Sequence, residues 1–415
     1  MTTAPLPRAR RRLPVRTRPA RVAGLLGRLP APTGALAWVR EGSGLVGWGE
    51  AARFEVSGPD RFAAADDWWR EFAAGLDVTD EVGAPGTGPV AFASLAFADR
   101  PGHSVLVVPE VVVGVRAGRA WVTTIGAAAA APVHPVRRPS AVRYSDGRLP
   151  VAAYREAVGA AVRRMRAGEL AKVVLAHDLL AVADAPIDQR FLLAGLARRY
   201  PRCWAYAVDG LVGATPELLL RRSGAVVESR VLAGTTWPRE GATGDELAAA
   251  LLASAKDREE HEHAVASLTG ALRPFCGSLS VDGPSVLRLP NVSHLSSDVV
   301  GALREAGDPR AAPSLLRLAA ALHPTAAVGG TPRAEAVAAI AELEGLDRGR
   351  YAGPVGWVDA AGDGELGVAL RCALVEGRTA RLFAGCGVVA GSDPDEEVRE
   401  AHAKTRPLRE ALEGL

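Results

Sequence analysis

The chain has 415 residues, of which 48% are hydrophobic and 23% are charged, and its formal net charge is +2. These values are ordinary for a globular protein, and the length suffices for one large domain or for about two or three average ones with a sizeable core. A nearly neutral chain has no overall field that draws it to nucleic acid or to a membrane, so we expect neither as a partner. An anionic ligand would have to be bound by locally placed cations.

The N-terminal residues and the cysteines bear on location. Residues 1–22 are rich in arginine and lack the apolar segment of a secretory signal, which predicts a disordered basic arm. Cys203, Cys276, Cys372 and Cys386 form no CxxC or other short metal-ligand spacing. No stretch of sequence is apolar over the length that a bilayer requires. We therefore expect reduced thiols and a cytoplasmic protein.

Residues 23–147 show a pattern of short strands and loops, and we treat them as a variable N-terminal subdomain. Apolar runs at residues 104–109 and 111–115 predict two strands, and residues 63–76, with their tryptophan pair, predict a helix. A linker of small residues at 127–139 lies near the end of this region and predicts a subdomain boundary.

The elements after Leu149 mix helices and strands. A helix is predicted to begin at Pro150 and to end at Gly168, and a short β-rich run starts at Lys172. Further helices are predicted over residues 245–272, 314–322, 332–343 and 396–412, and further strands over residues 353–358, 364–374 and 379–383. The order lacks the regular βαβ alternation of a doubly wound sheet, so we predict an α+β fold, with residues 148–412 as a second, larger domain.

Two ionisable residues stand in apolar surroundings. Lys172 lies in a run otherwise made of apolar residues, where burial would lower the pKa of its amine and make it a usable base near neutral pH. Glu217 follows Pro216 at the start of another apolar run, where a raised pKa would make its carboxyl a general acid. Each residue alone is more often a strand-edge side chain, so only the two together suggest an acid–base pair.

Two helical segments carry acidic residues at a spacing of three. Asp257 and Glu260 face the same way on one helix, and Glu397 and Glu400 repeat the spacing on another, with Lys404 one turn beyond. The ordinary explanation is a solvated helix face with weak ion pairs. If the two helices converge, however, their carboxylates are hard oxygen ligands of the kind that suits Mg²⁺.

Other cofactors are less well supported. The Glu-His-Glu-His segment at residues 260–263 lacks the HExxH spacing of zinc enzymes. The glycines of residues 385–391 lack the spacing of a dinucleotide-binding loop, and no βαβ unit surrounds them. Neither zinc nor a nucleotide is therefore expected.

Taken in order, nine segments resemble those of the chorismate-utilising enzyme family, which includes isochorismate, salicylate, anthranilate and aminodeoxychorismate synthases. The segments are Lys172-Val-Val-Leu-Ala176, Gly213-Ala-Thr-Pro-Glu217-Leu-Leu219, Leu232-Ala-Gly-Thr235, Lys256-Asp-Arg-Glu-Glu-His261, His323-Pro-Thr325, Tyr351-Ala-Gly-Pro-Val-Gly-Trp357, Leu370-Arg-Cys-Ala373, Arg381-Leu-Phe-Ala-Gly-Cys-Gly-Val388, and Glu397-Val-Arg-Glu400 with Lys404. Each segment is weak alone, but nine in the family's order over residues 149–412 make a specific signal. Residues 1–145 resemble only the variable N-terminal part of such enzymes.

The resemblance implies two large antiparallel sheets packed face to face with helices outside, and an active-site cleft between the subdomains. It makes residues 148–412 a chorismate-binding catalytic domain that depends on Mg²⁺, with Lys172 as base and Glu217 as acid. The implied metal ligands are Glu260 and Glu400, with Asp257 and Glu397 as supporting ligands or water holders. The residues implied to bind chorismate are Gly234, Thr235, Ala327, Tyr351, Arg371, Gly385 and Lys404, among which Arg371 and the backbone near Gly385 would take the enolpyruvyl carboxylate.

Within the family the chain most resembles the isochorismate synthases, isomerases in which water attacks C2 of chorismate and the C4 hydroxyl leaves. Lys172 stands where water-using members carry a lysine base, whereas anthranilate synthases usually have glutamine there. Aminodeoxychorismate synthases commonly carry a lysine where Ala233 stands. Both amine-transferring reactions are therefore less favoured.

Salicylate synthases are the nearest alternative. They tend to have threonine where Ala327 stands and tyrosine where Phe383 stands, so these two positions favour isochorismate synthase. Tyr351 and Leu370 instead follow the salicylate pattern. His177 departs from both, since an arginine is usual at that place in the strand.

Two further alternatives are a catalytically inactive chorismate-binding protein and an unrelated scaffold with acidic surface helices. The intact set of implied site residues argues against the first, and Mg²⁺ binding would argue against the second. An isochorismate product could enter menaquinone or siderophore biosynthesis. A monomer or a weak dimer is expected.

Overall fold

The structure, a computed structural model, describes residues 12–128, 131–239, 241–290, 292–304 and 312–415. The strands are β1 (Leu13–Pro19), β2 (Leu36–Arg40), β3 (Ser43–Trp48), β4 (Ala52–Val56), β5 (Leu76–Asp80), β6 (Val90–Ser94), β7 (Ser104–Val108), β8 (Val111–Arg116), β9 (Arg119–Ile125), β10 (Arg143–Asp146), β11 (Lys172–Val182), β12 (Trp204–Val208), β13 (Leu211–Thr215), β14 (Leu218–Ser223), β15 (Val226–Thr236), β16 (Cys276–Leu289), β17 (Val292–Leu303), β18 (Gly330–Thr331), β19 (Pro354–Asp359), β20 (Gly364–Val368), β21 (Cys372–Glu376) and β22 (Thr379–Val388). The helices are α1 (Arg61–Ala74), α2 (Val151–Arg166), α3 (Gln189–Arg199), α4 (Gly244–Ala253), α5 (Ala255–Leu272), α6 (Leu315–Leu322), α7 (Arg333–Glu344) and α8 (Pro394–Glu413), with a 3-10 turn at Leu26–Arg28. Among the described residues, no helix is both long enough and apolar enough to cross a membrane.

The strands form two large sheets, which confirms the α+β prediction. The order in the larger sheet is β10-β11-β22-β21-β13-β12-β2-β3-β8-β9-β1-β5, with β18 paired to β11. The order in the smaller sheet is β16-β17-β15-β14-β20-β19-β6-β7-β4. Neighbouring strands run antiparallel except β1 and β5, which pair in parallel at one edge of the larger sheet.

The two sheets pack face to face around a core rich in tryptophan. Trp38 on β2 and Trp204 on β12 both belong to the larger sheet, and their indole Nε1 atoms donate to Glu365 Oε2 on β20 of the smaller sheet at 2.9 and 3.2 Å. Helices α2, α3 and α8 cover the outer face of the larger sheet, and α1, α5 and α6 cover the smaller one. The predicted arrangement of facing sheets with helices outside is confirmed.

The N-terminal segment contributes strands to both sheets. Strand β2 pairs with β12, and β6 pairs with β19, so each sheet runs on from strands of residues 148–412 into strands of residues 23–147. The two predicted segments therefore share both sheets, because strands on either side of the predicted boundary pair with each other. Within the predicted linker at 127–139, residues 131–139 have no regular structure, and residues 129 and 130 lie outside the described part.

The prediction that residues 1–22 form a disordered basic arm is wrong for Leu13–Pro19. These residues form β1, which lies between β5 and β9. Alternation explains the difference: Val15 and Thr17 are buried, and Thr17 Oγ1 lies 2.8 Å from Thr123 Oγ1, whereas the side chains of Arg16 and Arg18 are 42% and 72% exposed. Charge alone suggested disorder, although the period of two is that of a β-strand. Residues 1–11 lie outside the described residues.

Two predicted elements are interrupted. The helix expected over residues 245–272 is two helices, α4 and α5, because Ser254 has an extended backbone and its hydroxyl accepts from Asp257 N at 3.3 Å as the N-cap of α5. The strand expected over residues 364–374 is also two, β20 and β21. Arg371 between them has φ +48°, a left-handed conformation that side chains rarely adopt and that ends the strand.

A buried ion pair ties the end of α7 to β11, the second strand from one edge of the larger sheet. Arg348 Nε donates to Glu344 Oε2 at 2.9 Å, and both side chains are almost wholly buried. The same guanidinium donates to the carbonyls of Val174 (2.6 Å) and Val328 (3.0 Å), while Glu344 accepts from Ala176 N at 2.7 Å. The pair therefore completes backbone hydrogen bonds along β11 that have no sheet partner there.

Arg348→Met should lower the free energy of unfolding by about 3–5 kcal/mol, because it leaves the Glu344 carboxyl buried without its partner. Arg155→Met is the matched control, since Arg155 and Asp395 form an ion pair on the surface, with side chains 56% and 55% exposed. It should leave the midpoint of urea unfolding almost unchanged. Equal losses in the two variants would contradict the role given to the buried pair.

Candidate active site

One cavity of about 250 Å³ lies where the two sheets meet. It is lined by every residue that the sequence singled out for catalysis, metal binding or substrate binding: Lys172, Glu217, Gly234, Thr235, Asp257, Glu260, Ala327, Tyr351, Arg371, Gly385, Glu397, Glu400 and Lys404. The lining residues all come from the segment 172–404. The N-terminal segment therefore supports this site by completing the sheets, and the cleft lies between sheets within the C-terminal segment.

Lys172 begins β11, and its side chain enters the cavity. Its Nζ donates to Glu260 Oε1 at 2.6 Å, and the side chain is only 15% exposed. A Cβ on Gly387 of the neighbouring strand would lie 3.0 Å from Lys172 Cε, so this glycine leaves the room that the lysine occupies. The lysine is thus held in one place by a carboxylate and a close backbone.

Glu217 lies between β13 and β14 on another wall of the same cavity. The side chain is buried, and its removal from water raises the pKa of the carboxyl to about 8, although Lys172 and Arg371 act to lower it. At neutral pH the carboxyl is therefore mostly protonated, as a general acid must be. Lys172 is close enough to act on the charge of Glu217, and the two residues come from different parts of the fold, β11 and the connection between β13 and β14.

Helices α5 and α8 bring four carboxyl groups to the cavity, Asp257 and Glu260 from the first and Glu397 and Glu400 from the second. Burial raises the pKa of Glu397. Burial also acts to raise the pKa of Glu400, but the ammonium of Lys404, 2.6 Å away, holds it below its usual value. Carboxylate oxygens from two converging helices fit Mg²⁺ by donor chemistry, since this ion takes oxygen ligands and retains open positions for water or substrate.

Two cations face these acids. Lys404 Nζ donates to the Gly385 carbonyl at 2.9 Å as well as to Glu400, so the side chain is fixed between α8 and β22. Arg371 enters from the break between β20 and β21, where its left-handed backbone turns the chain. A bulge at Gly234, φ +75°, shifts the pairing of β15 and lets Thr235 line the cavity beside Asp257.

His294 is a lining residue that the sequence analysis missed. Its Nδ1 lies 3.0 Å from Thr235 Oγ1, and burial lowers the pKa of its imidazole to about 3, so the ring is neutral. Residues 294–297 on β17 are all buried, so no alternation of burial marks this ring as facing the cavity. Its neighbours in sequence carried no other signal.

The positions that separate the family's members are not equally close to the cavity. Ala327, Tyr351 and Leu370 line it, whereas Phe383 stacks behind Tyr351 with ring centres 5.2 Å apart. His177 faces away toward α2 and α8, with its ring 5.0 Å from that of Tyr154. The unusual histidine therefore changes packing behind the sheet and contributes nothing to the cavity wall.

Comparison with known proteins matches residues 127–413 to the family described as chorismate binding enzyme. Isochorismate synthase DhbC of Bacillus subtilis is 42% identical over 272 residues, which cover 62% of this chain and 67% of the relative. A putative isochorismate synthase MenF of Mycobacterium tuberculosis is 40% identical over 348 residues, covering 79% of this chain and 87% of the relative.

Two solved structures show the same architecture over 94% or more of this chain. The structure of a putative 2,3-dihydroxybenzoate-specific isochorismate synthase, DhbC of Bacillus anthracis, superposes with a TM-score of 0.76 at 30% identity, covering 94% of this chain and 98% of that one. The menaquinone-specific isochorismate synthase MenF of Escherichia coli gives a TM-score of 0.78 at 25% identity, with 96% and 94% covered.

Glu217→Gln should change how stability depends on pH. The unfolded carboxyl ionises near its ordinary pKa of 4.5, whereas the folded one stays protonated up to about 8, so the wild-type chain loses stability as the pH rises between these values. The variant escapes that loss. Relative to the wild type, its free energy of unfolding should rise with pH across this window by about 1.4 kcal/mol per pH unit, as measured by urea unfolding.

Glu365→Gln is the control with the opposite sign. Burial acts to raise the pKa of Glu365, but Arg221 and Arg116 hold it below its usual value, so its stabilising effect is present above the unfolded pKa and is lost on acidification. That variant should be less stable than the wild type at neutral pH. A stability difference for Glu217→Gln that did not vary with pH would mean that Glu217 is ionised.

Proposed function

The chain belongs to the chorismate binding enzyme family, and from this membership we propose that it is a magnesium-dependent isochorismate synthase. The relatives described above are named as isochorismate synthases or putative ones. The cavity is lined by the lysine, the glutamate and the acidic residues to which we assign roles in this reaction. The observation that carries the proposal is the presence of Lys172 and a protonated Glu217 on different walls of one small cavity with four carboxyl groups.

Lys172 is the proposed base. In its neutral form the amine takes a proton from the water molecule that attacks C2 of chorismate, and the ring double bonds shift. The ammonium that pairs with Glu260 must first release one proton to solvent, so that the neutral amine can then accept a hydrogen bond from water. Gly387 on β22, where an added Cβ would lie 3.0 Å from Lys172 Cε, borders the side chain and limits where the amine can move, which keeps the water on one side of the ring.

Glu217 is the proposed acid. Its carboxyl holds a proton at neutral pH because burial raises its pKa to about 8. It donates that proton to the C4 hydroxyl, which leaves as water when the double bonds have shifted. Because Lys172 on β11 and Glu217 between β13 and β14 lie on different walls of the cavity, proton removal and proton donation occur at different positions on the ring.

The substrate is a dianion and meets local charge of both signs. Glu260 and Glu400 would hold Mg²⁺, with Asp257 and Glu397 beside them, and the bound ion would neutralise the ring carboxylate and spread its charge. Arg371 and the backbone near Gly385 would bind the enolpyruvyl carboxylate through charge-assisted hydrogen bonds.

The remaining lining residues shape the pocket. Thr235, after Gly234, and Lys404 border the end of the cavity that takes the ring carboxylate. Ala327 and Tyr351 limit the space around the ring. A nearly neutral chain can in this way hold a doubly charged ligand, because the charges that matter are concentrated in the cavity.

Salicylate synthase is the second candidate, and the observation that favours it is that Tyr351 and Leu370, which follow the salicylate pattern, both line the cavity. The two functions differ in whether pyruvate is eliminated from the product. Chorismate and Mg²⁺ incubated with the chain should yield isochorismate without the fluorescence of salicylate. Growth of that fluorescence in step with chorismate loss would assign the second function.

Lys172→Ala and Glu217→Gln should each remove most of the turnover while chorismate still binds, because each removes a proton-transfer group and leaves Arg371 and Lys404 in place. Loss of general acid or base catalysis typically costs about 10²–10⁴-fold in rate. The kcat measures the loss, and calorimetry measures chorismate binding. Glu228→Gln is the control, since Glu228 on β15 pairs with Arg221 away from the cavity. Near-normal turnover in either catalytic variant would contradict the role of that residue.

Glu260→Ala should abolish both Mg²⁺ binding and turnover. Glu262→Ala lies two residues along the same helix with a side chain 71% exposed, so it should leave both unchanged. Calorimetric titration of Mg²⁺ into each variant measures the binding. Equal Mg²⁺ affinity in the two variants would contradict the assigned ligand set.

A further inference from the structure

Cys386 is a buried thiol that the proposed reaction does not use. It lies on β22 between Gly385 and Gly387, which line the cavity, so its own side chain points to the opposite face of the strand, toward α8. The side chain is wholly buried. Its Sγ contacts the Glu397 carbonyl at 3.5 Å and the Lys404 Nζ at 3.8 Å.

The thiol has two carboxyl groups beside it. Cys386 Sγ and one carboxylate oxygen each from Glu397 and Glu400 lie within 4.8 Å of one another. Zinc bonds to thiolate sulfur at about 2.3 Å and to carboxylate oxygen at about 2.0–2.2 Å, so one ion can reach all three atoms with small side-chain movements. In the described part of the chain, no other set of three such donors is this close together.

The chemistry of this set differs from that of the proposed magnesium site. Mg²⁺ takes oxygen ligands, whereas a thiolate with two carboxylates selects a softer cation such as Zn²⁺ or Cd²⁺. Glu397 and Glu400 belong to both sets, and Glu400 is the main proposed magnesium ligand of the two. When Glu400 turns toward Cys386, it is no longer available to a hard cation in the cavity.

We propose that Cys386, Glu397 and Glu400 form an inhibitory site for a thiophilic divalent cation. The ion enters through the active-site cavity, whose wall includes both glutamates. It bonds to the sulfur as the thiol proton leaves to solvent, and it replaces Lys404 as the partner of Glu400. Inhibition follows from the proposed function, because Glu400 is then withheld from Mg²⁺; cation binding itself does not depend on that function.

Cadmium titration of the metal-free protein tests the site, because a cadmium–thiolate bond produces an ultraviolet charge-transfer absorption that needs no turnover. The wild-type chain should show this absorption saturating at one equivalent. Excess Mg²⁺ should shift the titration to higher cadmium concentrations. An absent band, or a band that Mg²⁺ leaves unmoved, would overturn the shared site.

Variants separate this thiol from the others. Cys386→Ala should lose the band and require at least about tenfold more cadmium for inhibition, in line with the cost of losing metal-site partners. Cys386→Ser, which preserves the side-chain size and lacks the soft donor, should also lose the band. Cys372→Ala removes another buried thiol on the neighbouring strand and should retain it. A band that persists in both Cys386 variants would refute the proposal.

The outcomes also distinguish this site from the reaction. Chorismate turnover without a cadmium band would leave the proposed function standing and would reject the site. A cadmium band in a chain that does not convert chorismate would support the site and would reject the function.

Discussion

The site is governed by one constraint: charges placed in a small cavity between two sheets must be balanced by other charges in the same cavity. Burying an ion without a partner lowers the free energy of unfolding by roughly several kcal/mol. Lys172 is balanced by Glu260, and Lys404 by Glu400, each at 2.6 Å. Among the residues that the structure describes, no cation lies at hydrogen-bonding distance from the Glu217 carboxyl, which remains protonated instead. The proposed acid, base and metal ligands are thus the members of one balanced set.

The architecture explains how this set assembles. Strands β11 and β22 carry Lys172 and Gly385 on the larger sheet, whereas β15 and β17 carry Thr235 and His294 on the smaller one. Helices α5 and α8 lie on different sheets, and each directs acidic side chains toward the space between them. The N-terminal strands extend both sheets, and Trp38 crosses between them to Glu365, so this segment supports the cavity without lining it.

Local sequence patterns predicted which residues share a helix face or a strand better than they predicted which elements meet at the cavity. Spacing along α5 placed Asp257 and Glu260 on one face, but convergence with α8 depends on pairing between strands far apart in sequence, which no local pattern contains. Only the order of the family's segments suggested it, and the roles of the individual residues remain predictions. The break at Arg371 was missed because the apolar run continues through it. His294 was missed because a single histidine in a strand is usually a packing residue.

The central claim is that the cavity removes a proton from water at one position of the ring and delivers a proton to the departing hydroxyl at another. A single turnover of chorismate in water enriched in oxygen-18, followed by mass spectrometry of the product, tests this claim most directly. The account predicts one labelled oxygen, at C2, and loss of the original C4 oxygen to solvent. A product that retained the original hydroxyl oxygen would show that the hydroxyl had moved within the substrate, and it would contradict the paired roles of Lys172 and Glu217.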